Sequence, residues 1–219
     1  MNLRLEGSGM TSRRTRERMI RRLEDQGIKS RVVLDTLLAT PRHIFVEDAF
    51  ASRAYDDTAL PIGFNQTISQ PYTIARMTEL LLERRTPEKV LEVGTGSGYQ
   101  TAVLAQLVKR VYSVERIYPL QQRARRCLQD MGLRNVRLRH SDGAWGWDDY
   151  SPFDGVLVTA APTEVPQALL DQLGRGAVMI VPLGAGREQM LHRITRTETG
   201  FEMEAIEPVT FVPLVPGTV

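Results

Sequence analysis

The 219-residue sequence predicts an α/β fold of the doubly wound, mostly parallel kind, with helices on both faces of the sheet. Two observations carry this. Between residues 87 and 184, short apolar runs alternate with amphipathic stretches, the order that gives parallel strands joined by right-handed crossovers. One of those runs, Val90-Leu91-Glu92-Val93, breaks into Gly94-Thr95-Gly96-Ser97-Gly98 and then into a helical pattern, which reads as strand, tight turn and helix. Such a turn lets backbone N–H groups and a helix N-terminus approach a ligand, because no side chain stands in the way. The competing reading, less favoured, is a tight connection that binds nothing.

Residues 1–11, with Gly7-Ser8-Gly9, are expected to form a disordered leader. Residues 12–26 set Met19, Ile20 and Leu23 among arginines and glutamates, an amphipathic helix ended by Gly27. Ser30 caps a second helix over 32–38, which Pro41 stops, and a short helix follows in which His43 reads as structural. Residues 55–70 show little periodicity and many turn-prone residues, and are expected to form a long loop of functional use. The loop ends at Ser69-Gln70-Pro71, where Pro71 opens a helix over 72–82; read locally, Ser69 is an N-cap hydroxyl.

Beyond the glycines the spacing predicts a helix over 101–108, a strand over 111–115, a helix over 119–130 closed by Gly132, and a strand over 136–140. A turn at Asp142-Gly143 and a loop with Trp145 and Trp147 lead to a strand over 154–159, a helix over 166–173 and a strand over 177–183. Segments 189–196 and 203–214, split by Thr199-Gly200, are predicted to pair antiparallel along one edge. The reading is a single domain over 12–219, with N-terminal helices and a substrate loop (12–86), a cofactor-binding core (87–184) and closing strands (185–219).

The formal net charge of +2 points to no polyanionic partner. Arg13, Arg14, Arg16, Arg18, Arg21 and Arg22 concentrate positive charge near the start, but they read as the solvated face of a helix rather than a nucleic-acid contact. None of the three histidines has a partner at ligand spacing, so no metal site is expected. The lone Cys127 excludes an internal disulfide and suits a reducing compartment. With no apolar stretch of membrane-span length and no signal-peptide core, the expectation is a cytoplasmic monomer without membrane or nucleic-acid partners.

The glycine spacing narrows the ligand. A dinucleotide fingerprint G-x-G-x-x-G would place its third glycine at Tyr99, whereas the sequence has it at Gly98. The form Glu92-x-Gly94-x-Gly96-x-Gly98 resembles the first motif of S-adenosylmethionine-dependent methyltransferases. A cofactor without a pyrophosphate needs acceptors for its amino and ribose groups. Glu92 is the candidate for the first, and Glu115, about twenty residues past the glycines at the end of the next strand, for the second. Gly94, Thr95, Gly96, Ser97 and Gly98 complete the expected cofactor-binding set.

Longer runs carry a closer resemblance: Pro41-Arg42-His43-Ile44-Phe45-Val46, Gln66-Thr67-Ile68-Ser69-Gln70-Pro71-Tyr72, Ser113-Val114-Glu115-Arg116, His140-Ser141-Asp142-Gly143, Val158-Thr159-Ala160-Ala161-Pro162 and Phe211-Val212-Pro213-Leu214-Val215. Together they resemble the bacterial protein-L-isoaspartate (D-aspartate) O-methyltransferases over about residues 12–215. The resemblance implies the methyltransferase form of the doubly wound sheet, with its last two strands exchanged in order. It implies methyl transfer from S-adenosylmethionine to the free carboxylate of L-isoaspartyl and D-aspartyl residues in damaged proteins and peptides, starting repair through a succinimide. By the same resemblance Ser69 contacts the isoaspartyl group, Asp142 and Gly143 line the adenine pocket, and Thr67, Ile68, Val212 and Leu214 border the substrate peptide. Phe64-Asn65 departs from the pattern, which has small or polar residues there and glycine just before Gln66. Two alternatives stand beside this reading. A methyltransferase for RNA or small molecules is disfavoured for amine acceptors, since Thr159-Ala160-Ala161-Pro162 offers no amide or acid; a cofactor-binding module without catalysis would not need Ser69.

Overall fold

The computed structural model describes residues 6–219. The expected leader therefore falls partly outside the described residues, at 1–5. Helix α1 (Arg13–Asp25) buries Met19, Ile20 and Leu23, and α2 (Arg31–Ala39) buries Val33, Leu34 and Leu37, each along one helical face. Two of the clustered arginines turn inward: Arg16 donates to the carbonyls of Glu6 and Leu38, and Arg22 to that of Tyr55.

Residues 55–70 are not a plain loop. They contain a hairpin of β1 (Leu60–Gly63) and β2 (Gln66–Ile68), with Leu60, Ile62 and Ile68 turned into the core. Phe64 and Asn65 form the tip, at φ 54° and 55°. A two-residue hairpin turn with positive φ at both positions matches the twist of the strands, but it is usually written Asn-Gly or Asp-Gly, which is why the sequence conceals it. Helix α3 (Pro71–Leu82) follows, with Pro71 in its first turn; its N-cap is Gln70, so Ser69 is not the capping residue.

The rest is one seven-stranded sheet. Strands β3 (Lys89–Val93), β4 (Arg110–Glu115), β5 (Val136–His140), β6 (Phe153–Val158) and β7 (Leu173–Ala185) are parallel, in the order β5-β4-β3-β6-β7. Helices α4 (Tyr99–Ala105), α5 (Tyr118–Asp130) and α6 (Gln167–Asp171) connect them. The predicted helix over 166–173 is shorter because Leu173 already pairs with Phe153 in the sheet. Strand β8 (Glu188–Arg196) adds antiparallel to β7 and β9 (Phe201–Val209) antiparallel to β8, so the last two strands follow in chain order rather than exchanged. The predicted strand over 203–214 stops at Val209. Residues 210–214 instead cross to the carboxyl end of β6, where Ala161 and the segment exchange backbone hydrogen bonds through Val212 and Leu214.

The chain runs from β3 outward to β4 on one side and returns to β6 on the other. Loops leaving β3 and β6 therefore part at this point, which is where open α/β sheets bind ligands. Aromatic Phe64 at positive φ, half exposed and outside the core, carries backbone strain with little packing in return. Phe64→Asn is expected to stabilise the fold by about 1 kcal/mol, seen as a rise of roughly 2–4 °C in thermal midpoint; an unchanged or lower midpoint contradicts the strain.

Candidate active site

The site is built at the carboxyl ends of β4, β3 and β6. After β3 the backbone enters Gly94 (φ 97°), Gly96 (φ 52°) and Gly98 (φ 88°), conformations that side chains resist. A Cβ on Gly94 would lie 2.4 Å from the Thr159 hydroxyl oxygen, so the turn packs against the end of β6 without room for one methyl group. Thr159 reaches the Val93 and Gly94 carbonyls at 3.0 and 2.7 Å. Gly98 has another use: its missing side chain admits Ala124, whose Cβ would be 2.9 Å away, and so lets α4 begin against α5.

Glu115 ends β4 and faces the turn. Its carboxylate accepts the Gly96 N–H at 2.7 Å and the Ile117 N–H at 2.9 Å. Burial pushes its pKa up, against the opposing pull of those N–H groups. Each oxygen keeps acceptor capacity for a further donor such as a hydroxyl.

One cleft is lined by Thr67, Ile68, Ser69, Gly94, Thr95, Gly96, Ser97, Glu115, Gly143, Val212 and Leu214. The structure thus brings most of the sequence-predicted residues onto a common wall. The Ser69 hydroxyl forms no hydrogen bond within the described residues and is available to a ligand. Gly143 sits where a Cβ would lie 2.6 Å from Val93 and 3.3 Å from Leu214, so glycine lets this turn lie against the end of β3 with the closing segment beside it.

Three predicted residues are absent from that wall. Gly98 is occupied with helix packing. Glu92 is fully buried beneath the turn, where its Oε2 accepts from Thr101 at 2.5 Å and Ser113 at 2.6 Å, while Oε1 has no partner among the described residues. Ser113 also meets the Thr95 hydroxyl at 2.6 Å, so Glu92 reaches the cleft only through a chain of hydroxyls. Burial, offset in part by those two hydroxyls, raises its pKa to about 8. Asp142 is buried with both oxygens committed, one to the Ala144 N–H (2.9 Å) and the other to the Gly217 N–H (2.6 Å). It fixes the turn bearing Gly143 and holds the chain's last residues, which also pair with Arg116 and Tyr118.

Sequence reasoning missed Thr159 and Arg42. The position of Thr159 at a strand's carboxyl end is a usable signal; the role of Arg42 depends on contacts far along the chain. Arg42 is fully buried and donates to the Ala54 carbonyl and the Ser69 carbonyl, both at 2.7 Å. Its guanidinium lies 5.0 Å from the Tyr99 ring centre, on the first residue of α4. No carboxylate pairs with it among the described residues, and burial lowers its pKa to about 10, still charged at neutral pH.

A second cavity of about 300 Å3 adjoins the first and shares Thr67, Ser69, Thr159 and Val212 with it. A glycine turn at the sheet's switch point with an acidic strand end facing it fits the Rossmann-like methyltransferase class that the Glu92-x-Gly94-x-Gly96-x-Gly98 motif resembles. The comparisons with known proteins go further. The family model "Protein-L-isoaspartate(D-aspartate) O-methyltransferase" matches residues 14–218. A protein-L-isoaspartate O-methyltransferase of Cellvibrio japonicus is 60% identical over 99% of this chain and 98% of its own, and one of Pseudomonas aeruginosa is 56% identical over 96% and 100%. A solved protein-L-isoaspartate O-methyltransferase superposes with a TM-score of 0.82 at 28% identity, covering 90% of this chain and 65% of that one. A Plasmodium falciparum protein in complex with S-adenosyl-L-homocysteine shares the fold at the same TM-score, 24% identical over 91% of this chain and 98% of that one. The chain belongs to the protein-L-isoaspartate (D-aspartate) O-methyltransferase family.

Two outcomes test the buried groups. Glu92 binds its proton more tightly folded than unfolded, so its contribution to stability is full below the ordinary carboxyl pKa and is lost as pH rises towards about 8. Glu92→Gln removes that loss. The variant should gain on the natural protein between pH 5 and 8, by up to about 1.4 kcal/mol per pH unit, in urea unfolding at each pH; a pH-independent difference contradicts a raised pKa. Arg42→Met strips two buried carbonyls of their donor, and is expected to cost about 3 kcal/mol in urea unfolding. It should also lower kcat/KM for peptide more than it weakens cofactor binding; equal losses would deny Arg42 its hold on the Ser69 segment.

Proposed function

We propose that the chain transfers a methyl group from S-adenosylmethionine to the free carboxylate of L-isoaspartyl and D-aspartyl residues in damaged proteins and peptides, with Ser69 aiming that carboxylate. Family membership carries the reaction: this is an S-adenosylmethionine-dependent enzyme acting on isoaspartyl residues. The residue roles rest on one observation above all. The uncommitted Ser69 hydroxyl stands at the junction of two cavities, on the same wall as the glycine turn and Glu115.

A carboxyl group with a pKa near 4 is already ionised at neutral pH, so no general base is needed. The carboxylate oxygen forms the new O–C bond as the C–S bond breaks, and the two opposite charges cancel. The bound cofactor supplies an electrophilic methyl group on a sulfonium. The protein's task is to hold the reacting atoms in line and strip water from the carboxylate. Ser69 is suited to donate to the oxygen that does not attack. Glu115 is suited to accept from ribose hydroxyls, and Gly94, Thr95, Gly96 and Ser97 to admit the methionine part alongside bare backbone. We assign Gly143 to the adenine side, and Thr67, Ile68, Val212 and Leu214 to the borders of the peptide. Glu92, Gly98 and Asp142 then act by supporting the turn, the helix start and the closing segment.

The ester that results carries a better leaving group than a carboxylate, so the adjacent backbone nitrogen can close a succinimide without the enzyme. The same reading takes the enzyme as a cytoplasmic monomer without a nucleic-acid partner. The inward-turned Arg16 and Arg22, whose guanidinium groups are taken up by backbone carbonyls, support the last of these, and the buried, unoxidised Cys127 suits the first.

Labelled methyl groups should become base-labile ester on a peptide carrying isoaspartate, and not on the same peptide with normal L-aspartate. Cofactor binding without transfer to either would overturn the reaction. Ser69→Ala loses one hydrogen bond to a charged group, about 1.5–3 kcal/mol. Turnover should fall roughly 10- to 100-fold while cofactor affinity, by titration, stays within about twofold; matched losses in both would remove Ser69 from the substrate side.

A further inference from the structure

The second cavity shares Thr67, Ser69, Thr159 and Val212 with the cleft assigned to catalysis, so a peptide held at Ser69 lies beside it. Its walls come from the N-terminus of α3 (Gln70, Tyr72, Thr73), the end of β9 with the closing segment, and the β7–β8 turn. Two charged residues line it. Glu207 is already engaged: it accepts from the Tyr72 hydroxyl at 3.1 Å and lies 3.7 Å from Arg76, which also pairs with Glu79. Arg187, on the β7–β8 turn, makes no ion pair or side-chain hydrogen bond among the described residues.

The turn that carries Arg187 is fixed to the site. Gln189, buried beside it, donates to the Gly186 carbonyl at 3.1 Å and exchanges two hydrogen bonds with the backbone of Phe211, at 3.0 and 2.7 Å. The Gly184 N–H reaches the Pro162 carbonyl, in the loop after Thr159. Gly184 itself (φ 127°) has no room for a side chain, since a Cβ would fall 2.1 Å from the Glu188 carbonyl oxygen. Arg187 is thus an uncommitted cation on a backbone tied to both strands of contact with the substrate cleft.

We propose that Arg187 forms a subsite for an acidic group of the substrate, a carboxylate one or two residues from the isoaspartyl residue. A cavity of 300 Å3 spans about 7 Å, two residues of extended chain at about 3.5 Å each, which sets that reach. A guanidinium takes a carboxylate in a forked, two-bond geometry, and a half-enclosed cleft screens the pair less than open solvent does. The inference rests on the isoaspartyl reading of the inner cleft.

The test uses the 219-residue enzyme and a panel of short isoaspartyl peptides with one Glu, or Gln or Lys in its place, at each of the two positions on either side. Both methylation kinetics and equilibrium binding of the fluorescently labelled peptides are measured. At one or more positions Glu should lower KM and Kd by about 3- to 10-fold relative to Gln, an advantage that 0.5 M salt reduces. Arg187→Ala should abolish the advantage, Arg187→Lys should keep part of it, and Arg187→Glu should reverse it towards a Lys-bearing peptide. In all three variants kcat on the all-neutral peptide and cofactor affinity should stay unchanged. Equal KM and Kd for Glu and Gln peptides at every position, or an advantage that survives Arg187→Ala, overturns the subsite while leaving the reaction intact. A charge preference in binding that follows Arg187, with no methylation of any peptide, upholds the subsite and overturns the reaction.

Discussion

The hydrogen bond from the Gly96 N–H to the Glu115 carboxylate joins the two halves of the site, and much of the local structure serves it. It binds the turn after β3 to the end of β4. For the N–H to point that way, the backbone must pass through positive φ at Gly94 and Gly96, which puts glycine at both positions. Gly94 in turn lies so close to Thr159 that the end of β6 is drawn into the same joint. Three neighbouring strand ends are held in one arrangement by a carboxylate and a few backbone groups. A hydrogen bond to a charged group is worth about 1.5–3 kcal/mol, and Glu115 makes two of them, so this acceptor is rigid before any ligand arrives.

The side of the cleft assigned to substrate is assembled from both ends of the chain. From the N-terminal part, Arg42 fixes the carbonyl of Ser69 from behind, and the hairpin of β1 and β2 puts Thr67 and Ile68 on the wall. From the C-terminal part, residues 210–214 lie against the end of β6, and Gly217 is pinned by Asp142. The cleft is therefore a space between segments that have little sequence contact with one another. Their relative position depends on a few buried polar anchors, Arg42, Asp142 and Gln189, rather than on apolar packing alone.

What the sequence disclosed and what it concealed divide along that line. The alternation of strands and helices, the glycine turn and the offset of Glu115 are local signals, periodic or closely spaced, and the fold follows from them. Residues 60–68 escaped because a hairpin turn written Phe-Asn lacks the glycine that advertises one, and because strands of four and three residues give almost no alternation to read. Glu92 and Asp142 stand beside the glycines and in the resembling motif, yet their side chains face away from the cleft. That direction is set by Ser113, 21 residues on, and by Gly217, 75 residues on. Arg42 acts across 27 residues. A motif identifies residues near a ligand; which of them touch it is decided by partners that no local pattern contains.

Charge ties these observations to the chemistry. An anionic substrate must approach a cleft that carries the Glu115 carboxylate on the side assigned to the cofactor. A second full charge at Glu92, one strand away, would repel it further, since unit charges in a half-buried site interact strongly. Burial keeps Glu92 protonated up to about pH 8, and the two hydroxyls on its Oε2 hold it in place without requiring ionisation. Arg42, charged and without a carboxylate partner, lies directly behind the Ser69 backbone. The buried groups thus grade the potential from Glu115 on the side assigned to a cationic sulfonium cofactor to Arg42 on the side assigned to a carboxylate. In a reaction whose opposite charges diminish towards the transition state and vanish in the products, a gradient of this kind favours bringing the two reactants together, and neither Arg42 nor Glu92 need touch the reacting atoms to contribute to it.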